Sequence, residues 1–150
     1  MGVPPEAADA AQRRAERAAA RLFELDRASQ ALGMRITGVR PGWTRVVMTV
    51  RADMLNGHGV CHGGIVFALA DSAFAFACNS HNESTVAAAA TIDFLAAARA
   101  GDELMAEASE LWRTRRNGIY EISVSNQRGE RIALFRGRSY RIDGQVVSGE

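Results

Sequence analysis

Between Ile65 and Cys78 the sequence reads IVFALADSAFAFAC, and Asp71 is its only charged side chain. A helix over this stretch is apolar on every side, so it has no face to give to water and must be enclosed. The segments around it read as strands, and a sheet wrapped around the helix is the enclosure they can build.

Those segments follow from period and punctuation. Residues 6–32, rich in Ala, Arg and Glu, carry Ala18, Leu22, Leu25 and Leu32 at helical spacing. They predict an amphipathic helix that follows Pro4-Pro5 and ends at Gly33. Residues 34–40 predict a short strand turned by Pro41-Gly42. In WTRVVMTVR, Val46, Met48 and Val50 alternate with Arg45, Thr49 and Arg51, the pattern of a half-buried strand. Further strands are expected over 86–97, 103–114, 118–126 and 131–142, with hairpin turns at Asn117-Gly118 and Arg128-Gly129. Tyr120, Ile122 and Val124 alternate with Glu121, Ser123 and Ser125, one face buried and one wet. Residues 143–150 read as a short tail. The expectation is a single α+β domain over 1–150, with 1–32 as an N-terminal helical segment.

Composition removes several classes of chemistry. All 18 basic residues are Arg, and without a Lys there is no Walker phosphate loop, pyridoxal Schiff base or lysine nucleophile. A net charge of +1 and the lack of a basic stripe interleaved with aromatics argue against nucleic acid or a membrane surface as partner. Two cysteines, Cys61 and Cys78, suit a reducing cytoplasm better than a disulfide framework. No signal peptide or spanning segment is expected. Asn82-Glu83-Ser84 matches a glycosylation sequon and reads as chance.

Asp71 has Phe67, Ala68, Phe74 and Ala75 one turn away along the helix and no Arg in its segment. An acid there is expensive unless it is paired or serves chemistry. The bland reading is a structural carboxylate that caps a neighbouring element. The preceding loop, NGHGVCHGG, favours chemistry. Its glycines Gly57, Gly59, Gly63 and Gly64 allow close backbone approach, and the helix starts after His62, where free amides and the helix dipole can polarise a carbonyl oxygen. Gly63 and Asp71 lie eight residues apart on one helix, roughly 12 Å at the α-helical rise. A base and an oxyanion donor must each come within about 3 Å of the reacting group or its water. One copy cannot bring both to one carbonyl; two copies antiparallel across a two-fold axis can.

Rival chemistry is weaker. Cys61 and His62 are adjacent, and neighbours rarely aim their side chains at each other, which argues against a thiol–imidazole pair. His58, Cys61 and His62 match no zinc spacing and lack a fourth ligand, so no metal is expected. His81 reads as a surface residue, and Trp43 and Trp112 as packing or rim residues of the sheet.

The strings NGHGVCHGG, ALADSAFAFACN, TIDFL and ALFRGRSYRI together resemble the PaaI-type acyl-CoA thioesterases of phenylacetate degradation, in the hotdog-fold superfamily. The likeness runs over about residues 24–143. It implies a hotdog fold, a long central helix wrapped by an antiparallel sheet, here with an extra N-terminal helix. It further implies a homodimer with its active site at the subunit interface, doubled into a homotetramer, working in the cytoplasm without metal or other cofactor. The implied reaction is hydrolysis of acyl-CoA thioesters, with phenylacetyl-CoA and hydroxyphenylacetyl-CoA as substrates. On this resemblance Asp71 is the base or nucleophile and Gly63 the amide that polarises the thioester, beside His62. Asn56 would place the thioester or the attacking water. Gly64, Phe67, Phe74, Thr91, Arg116 and Arg138 are candidates for binding substrate, Phe67, Phe74 and Leu69 as an apolar lining and the arginines for the CoA phosphates. Arg113, Arg115 and Arg136 are alternatives for that last role. Relatives often carry a hydroxyl on the strand after the helix, whereas Ala87–Ala90 are alanine here, leaving Thr91 as the nearest. An alternative is a non-catalytic module that binds acyl-CoA or a metabolite, for which a buried acid has no use. A dehydratase of the same fold pairs an acid with a helical His, and this helix has none.

Overall fold

The computed structural model describes residues 2–149, so the end residues Met1 and Glu150 of the expected 1–150 domain lie outside it. Two N-terminal helices, α1 (Pro5–Leu25) and α2 (Arg27–Ala31), precede the strands β1 (Arg35–Arg40) and β2 (Trp43–Thr49). The central helix α3 (Gly63–Cys78) comes next, then β3 (Glu83–Phe94), β4 (Glu103–Arg113), β5 (Asn117–Ser125) and β6 (Arg131–Gln145). The six strands form one antiparallel sheet in the order β1-β2-β4-β5-β6-β3. It curls around α3, which touches β2, β3, β4, β5 and β6. The expected wrapped-helix architecture is the observed one.

Enclosure of α3 follows from its composition. Val66, Leu69, Ala73, Phe74, Phe76 and Ala77 are buried against the inward residues of the sheet, among them Val46, Met48, Leu104, Tyr120, Ile122 and Phe135. Burying each large side chain contributes about 1.5–3 kcal/mol. Ala106 and Ala108 of β4, fully buried, keep the sheet close to the helix. Gly137 of β6 is a glycine because a Cβ there would stand 2.0 Å from Phe74 Cε2. Polar ties then fix the helix along its axis. Thr44 Oγ1 donates to the Ala73 carbonyl at 2.7 Å, and Asn79, just past the helix, donates to the carbonyls of Ala75 and Thr85, both at 2.9 Å.

Four expectations need correction. The continuous helix over 6–32 is two helices, because Asp26 leaves helical dihedrals (φ −86°, ψ 87°) and becomes the N-cap of α2. Asn117-Gly118 is not a turn but the start of β5. Thr114–Arg116 make the turn, closed by the Thr114 amide donating to the Asn117 carbonyl at 2.7 Å. Gly118 serves close packing, since a Cβ would lie 2.7 Å from Ser139 Oγ and 2.8 Å from the Tyr120 ring. Residues 143–145 are not tail but the end of β6, with Gln145 paired to Glu83, so β3 also begins earlier than expected. Leu69, expected beside Phe67 and Phe74 as lining, is fully buried in the core and lines neither of the pockets that hold Gly63 and Asp71.

Strand β3 is an edge of the sheet, and residues 86–91 along it are exposed and uncharged. Phe94 and Leu95 continue the exposed apolar margin. Among the described residues no helix is long and apolar enough to cross a membrane.

Candidate active site

The two halves of the expected chemistry occupy separate pockets. Asn56 and Gly63 line one of about 360 Å³, with Phe94 and Ile132 on its wall. Asp71 lines another of about 380 Å³, walled by Leu22, Leu25, Phe74 and Ala87. No residue lines both, in agreement with the spacing on the helix.

The first half is built by the loop before α3. Asn56 Oδ1 accepts from the amides of His58 (2.9 Å) and Val60 (3.3 Å), and the Asn56 amide donates to the Val60 carbonyl at 2.8 Å. These bonds coil residues 56–60 so that the loop closes on itself, with Gly59 at φ +76° where a side chain would be strained. The Asn56 Nδ2 group makes no bond among the described residues and remains a donor. His62 is the N-cap of α3: its Nδ1 accepts from the Gly64 amide at 2.9 Å, which leaves its ring hydrogen on Nε2. The Gly64 amide is therefore committed within the chain. The Gly63 amide has no partner among the described residues and sits at the positive end of the helix dipole. It is free to meet an oxyanion, in the pocket that Asn56 also lines.

The second half is half-buried Asp71. Burial chiefly, and the nearby Asp26 carboxylate secondarily, push its carboxyl above the ordinary aspartate range. No arginine lines its pocket. Phe74 lines the pocket while being almost wholly buried, its ring edge-on to Tyr120 at 5.4 Å. Phe67 packs against Phe135 at 5.1 Å and lines neither pocket.

Other candidates fall elsewhere. Thr91 sits beside Arg136 in shallow hollows of the sheet, away from Asp71; the strand hydroxyl in the Asp71 pocket is Thr85, which donates to the Glu83 carbonyl at 2.8 Å. Arg138 shares one of the Thr91 hollows and donates to Asn117 Oδ1 at 3.3 Å. Arg116 donates to the Arg141 carbonyl at 3.4 Å in the β4–β5 turn. Neither arginine lines either half-site. Cys61 lines the Gly63 pocket, but its thiol turns to the His62 carbonyl at 3.8 Å, not to the imidazole, and burial pushes it up. No cluster of three or more possible metal ligands occurs among the described residues.

His81 corrects the expectation of a surface residue. It is half-buried, with Nε2 2.8 Å from Glu110 Oε2, an oxygen that also accepts from the Tyr120 hydroxyl at 2.6 Å. Its partners come from distant strands, so no local signal in the sequence announces them. Asp26 was likewise missed, although Asp26-Arg27-Ala28-Ser29 carries a capping signature that could have been read.

Comparison with known proteins places these features. Residues 58–133 match the family described as the thioesterase superfamily. The chain is similar to acyl-coenzyme A thioesterase PaaI of Escherichia coli (strain K12), 48% identical over 126 residues, covering 84% of this chain and 90% of that one. A solved structure of the E. coli PaaI protein from the phenylacetic acid degradation operon, 46% identical, superposes with a TM-score of 0.88 over 89% of this chain and 97% of that one. The TT0310 protein of Thermus thermophilus, 39% identical, gives 0.75 over 78% and 98%. These matches bear out the resemblance drawn from the sequence and the hotdog fold it implied.

Proposed function

The chain belongs to the thioesterase superfamily, and from that membership we propose that it hydrolyses acyl-CoA thioesters to the free acid and CoA, with phenylacetyl-CoA and hydroxyphenylacetyl-CoA as substrates in cytoplasmic phenylacetate catabolism. The observation that carries the proposal is the division of the machinery. A free amide at a helix start and a half-buried acid lie in two pockets of similar size, each incomplete alone.

Two copies of the chain complete the site. The bare edge of β3 supports pairing of one sheet with another, with the two α3 helices antiparallel across the two-fold axis. A second set of exposed large apolar side chains, Leu111, Trp112, Tyr140 and Ile142, supports further association into a tetramer. In the shared site the Gly63 amide of one protomer draws charge onto the thioester carbonyl oxygen. Asn56, through its free Nδ2, holds the thioester or the water, and His62 positions Gly63 by capping the helix. Asp71 of the other protomer takes the proton of the attacking water, or attacks the carbonyl itself to form an anhydride that water afterwards hydrolyses. The carbon–sulfur bond then breaks and the CoA thiolate leaves, regaining its proton. The helix dipole facing Asp71 favours its ionised form against the cost of burial.

The test is a panel of aromatic and aliphatic CoA thioesters assayed with the parent and with Asp71→Asn. Parent turnover greatest on the arylacetyl thioesters, lost on the order of 100-fold or more in Asp71→Asn, is the expected result. Equal turnover by Asp71→Asn removes the mechanism. Tight binding of the thioesters without turnover by the parent replaces it with the binding-module reading.

A further inference from the structure

The N-terminal segment carries a second carboxylate into the Asp71 pocket. Asp26, the link between α1 and α2, is held there by its own cap: its oxygens accept from the Ser29 amide at 2.9 Å and the Ser29 hydroxyl at 2.5 Å. The same hydroxyl meets Ser72 Oγ at 2.8 Å, and Ser72 follows Asp71 on α3. Asp26 and Asp71 line one pocket. We propose that Asp26 is a positioning residue for the thioester chemistry, fixing a second negative charge in the Asp71 pocket and so strengthening Asp71 as a base. This rests on the reading of Asp71 given above.

Among the described residues, those that line the pocket bring no positive charge to it. Of the elements that line the pocket, α1 contributes only Leu22 and Leu25, and β3 only Thr85, Val86 and Ala87. From α3 itself the other titratable group is Cys78, and β2, β4, β5 and β6 contribute no lining residue. Glu110 of β4 acts on Cys78 and adds no positive charge. A like charge at close range favours the protonated form of its neighbour. Asp26 is accordingly the second cause, after burial, that raises the Asp71 carboxyl. A stronger base suits proton abstraction from water, provided it stays ionised at working pH.

A purely structural Asp26 would cap α2 and nothing more. Asp26→Asn and Asp26→Ser both keep a good N-cap while removing the charge, so they separate the two roles. Two readouts serve. One is the pH dependence of kcat/KM for an arylacetyl-CoA; the other is the titration of the Asp71 carboxyl carbon by NMR, which needs no turnover. In both variants the acid limb and the carboxyl titration are expected to move together to lower pH, with a few-fold loss at the plateau. Asp26→Glu, which keeps the charge, is expected to stay near the parent. A limb and a titration that remain at the parent pH in either folded variant overturn the proposal. Parent-like turnover in Asp71→Asn, by contrast, overturns the assignment of the base itself.

Discussion

In its proposed role as base, Asp71 carries opposite signs for chemistry and for stability. Its folded-state carboxyl lies above the ordinary aspartate range, through burial first and Asp26 second. The proton it holds stabilises the fold below that ordinary range, and this contribution is lost as pH rises through the folded value. At neutral pH the charge therefore weakens the fold. Asp71→Asn is expected to lose activity yet melt at the same or a higher temperature than the parent, a pairing that thermal denaturation beside the thioester assay reads directly. Glu110 is the reverse case. The His81 hydrogen bond first, then Tyr120 and Arg113, hold its carboxyl below the usual range against the opposing effect of burial. Its contribution is present above the ordinary glutamate range and is lost as pH falls through the folded value. Tyr120→Phe, which removes one of its donors, is expected to cost about 1–3 kcal/mol in urea unfolding. Asp71 and Gly63 could be singled out from the sequence because each contrasts with its immediate neighbours. Glu110 could not, because its partner His81 lies 29 residues away, and for Asp26 only the local cap was readable, not the tie to α3, since Ser72 is 43 residues from Ser29.

The helix α3 offers a cleaner test of the oxyanion role than any side-chain change. Gly63 is its first residue, and His62 before it has φ −58° and ψ 132°, dihedrals that a residue preceding proline adopts readily. Proline is favoured at a first helical position, where its missing N–H costs the helix nothing. Gly63→Pro thus deletes the free amide hydrogen while keeping the backbone, and exposed Phe94, whose ring lies 3.1 Å from a Cβ at 63, can turn aside. Retained circular dichroism with turnover down about 100-fold or more is the expected outcome. Gly137→Ala should do the converse, destabilising by about 1–3 kcal/mol through its collision with Phe74. Elements were readable where burial imposed a period, as in β2 and β5, or where an apolar run demanded enclosure, as in α3. They were misread where a residue served two possible ends. Gly118 resembles a turn glycine but exists for Tyr120 and Ser139, and Asp26 sits inside a helical pattern yet stops the helix to start another.

At the scale of the whole molecule, the proposed division of the site between two chains makes a distinctive demand. Asp71→Asn and Gly63→Pro chains, each inactive alone, carry their lesions in different halves. A mixed dimer places both lesions in one site and leaves the other whole. After unfolding and refolding together in equal amounts, about a quarter of parent activity is expected to return, since half the dimers are mixed and each has one sound site of two. No recovery in mixtures that form dimers would place the whole site in one chain. The β3 edge gives this arrangement a further meaning. Its exposed run from Val86 to Thr91 bears no charge or proline to guard against strand addition, only an irregularity of register between Ala87 and Ala89. Under the proposed shared site, a newly made chain has the same remedy for its stickiness and its inactivity, which is to find its twin. On the proposed two-chain site, dilution is expected to reverse both at once, so that specific turnover falls with the amount of protein present and cellular abundance sets the rate per polypeptide.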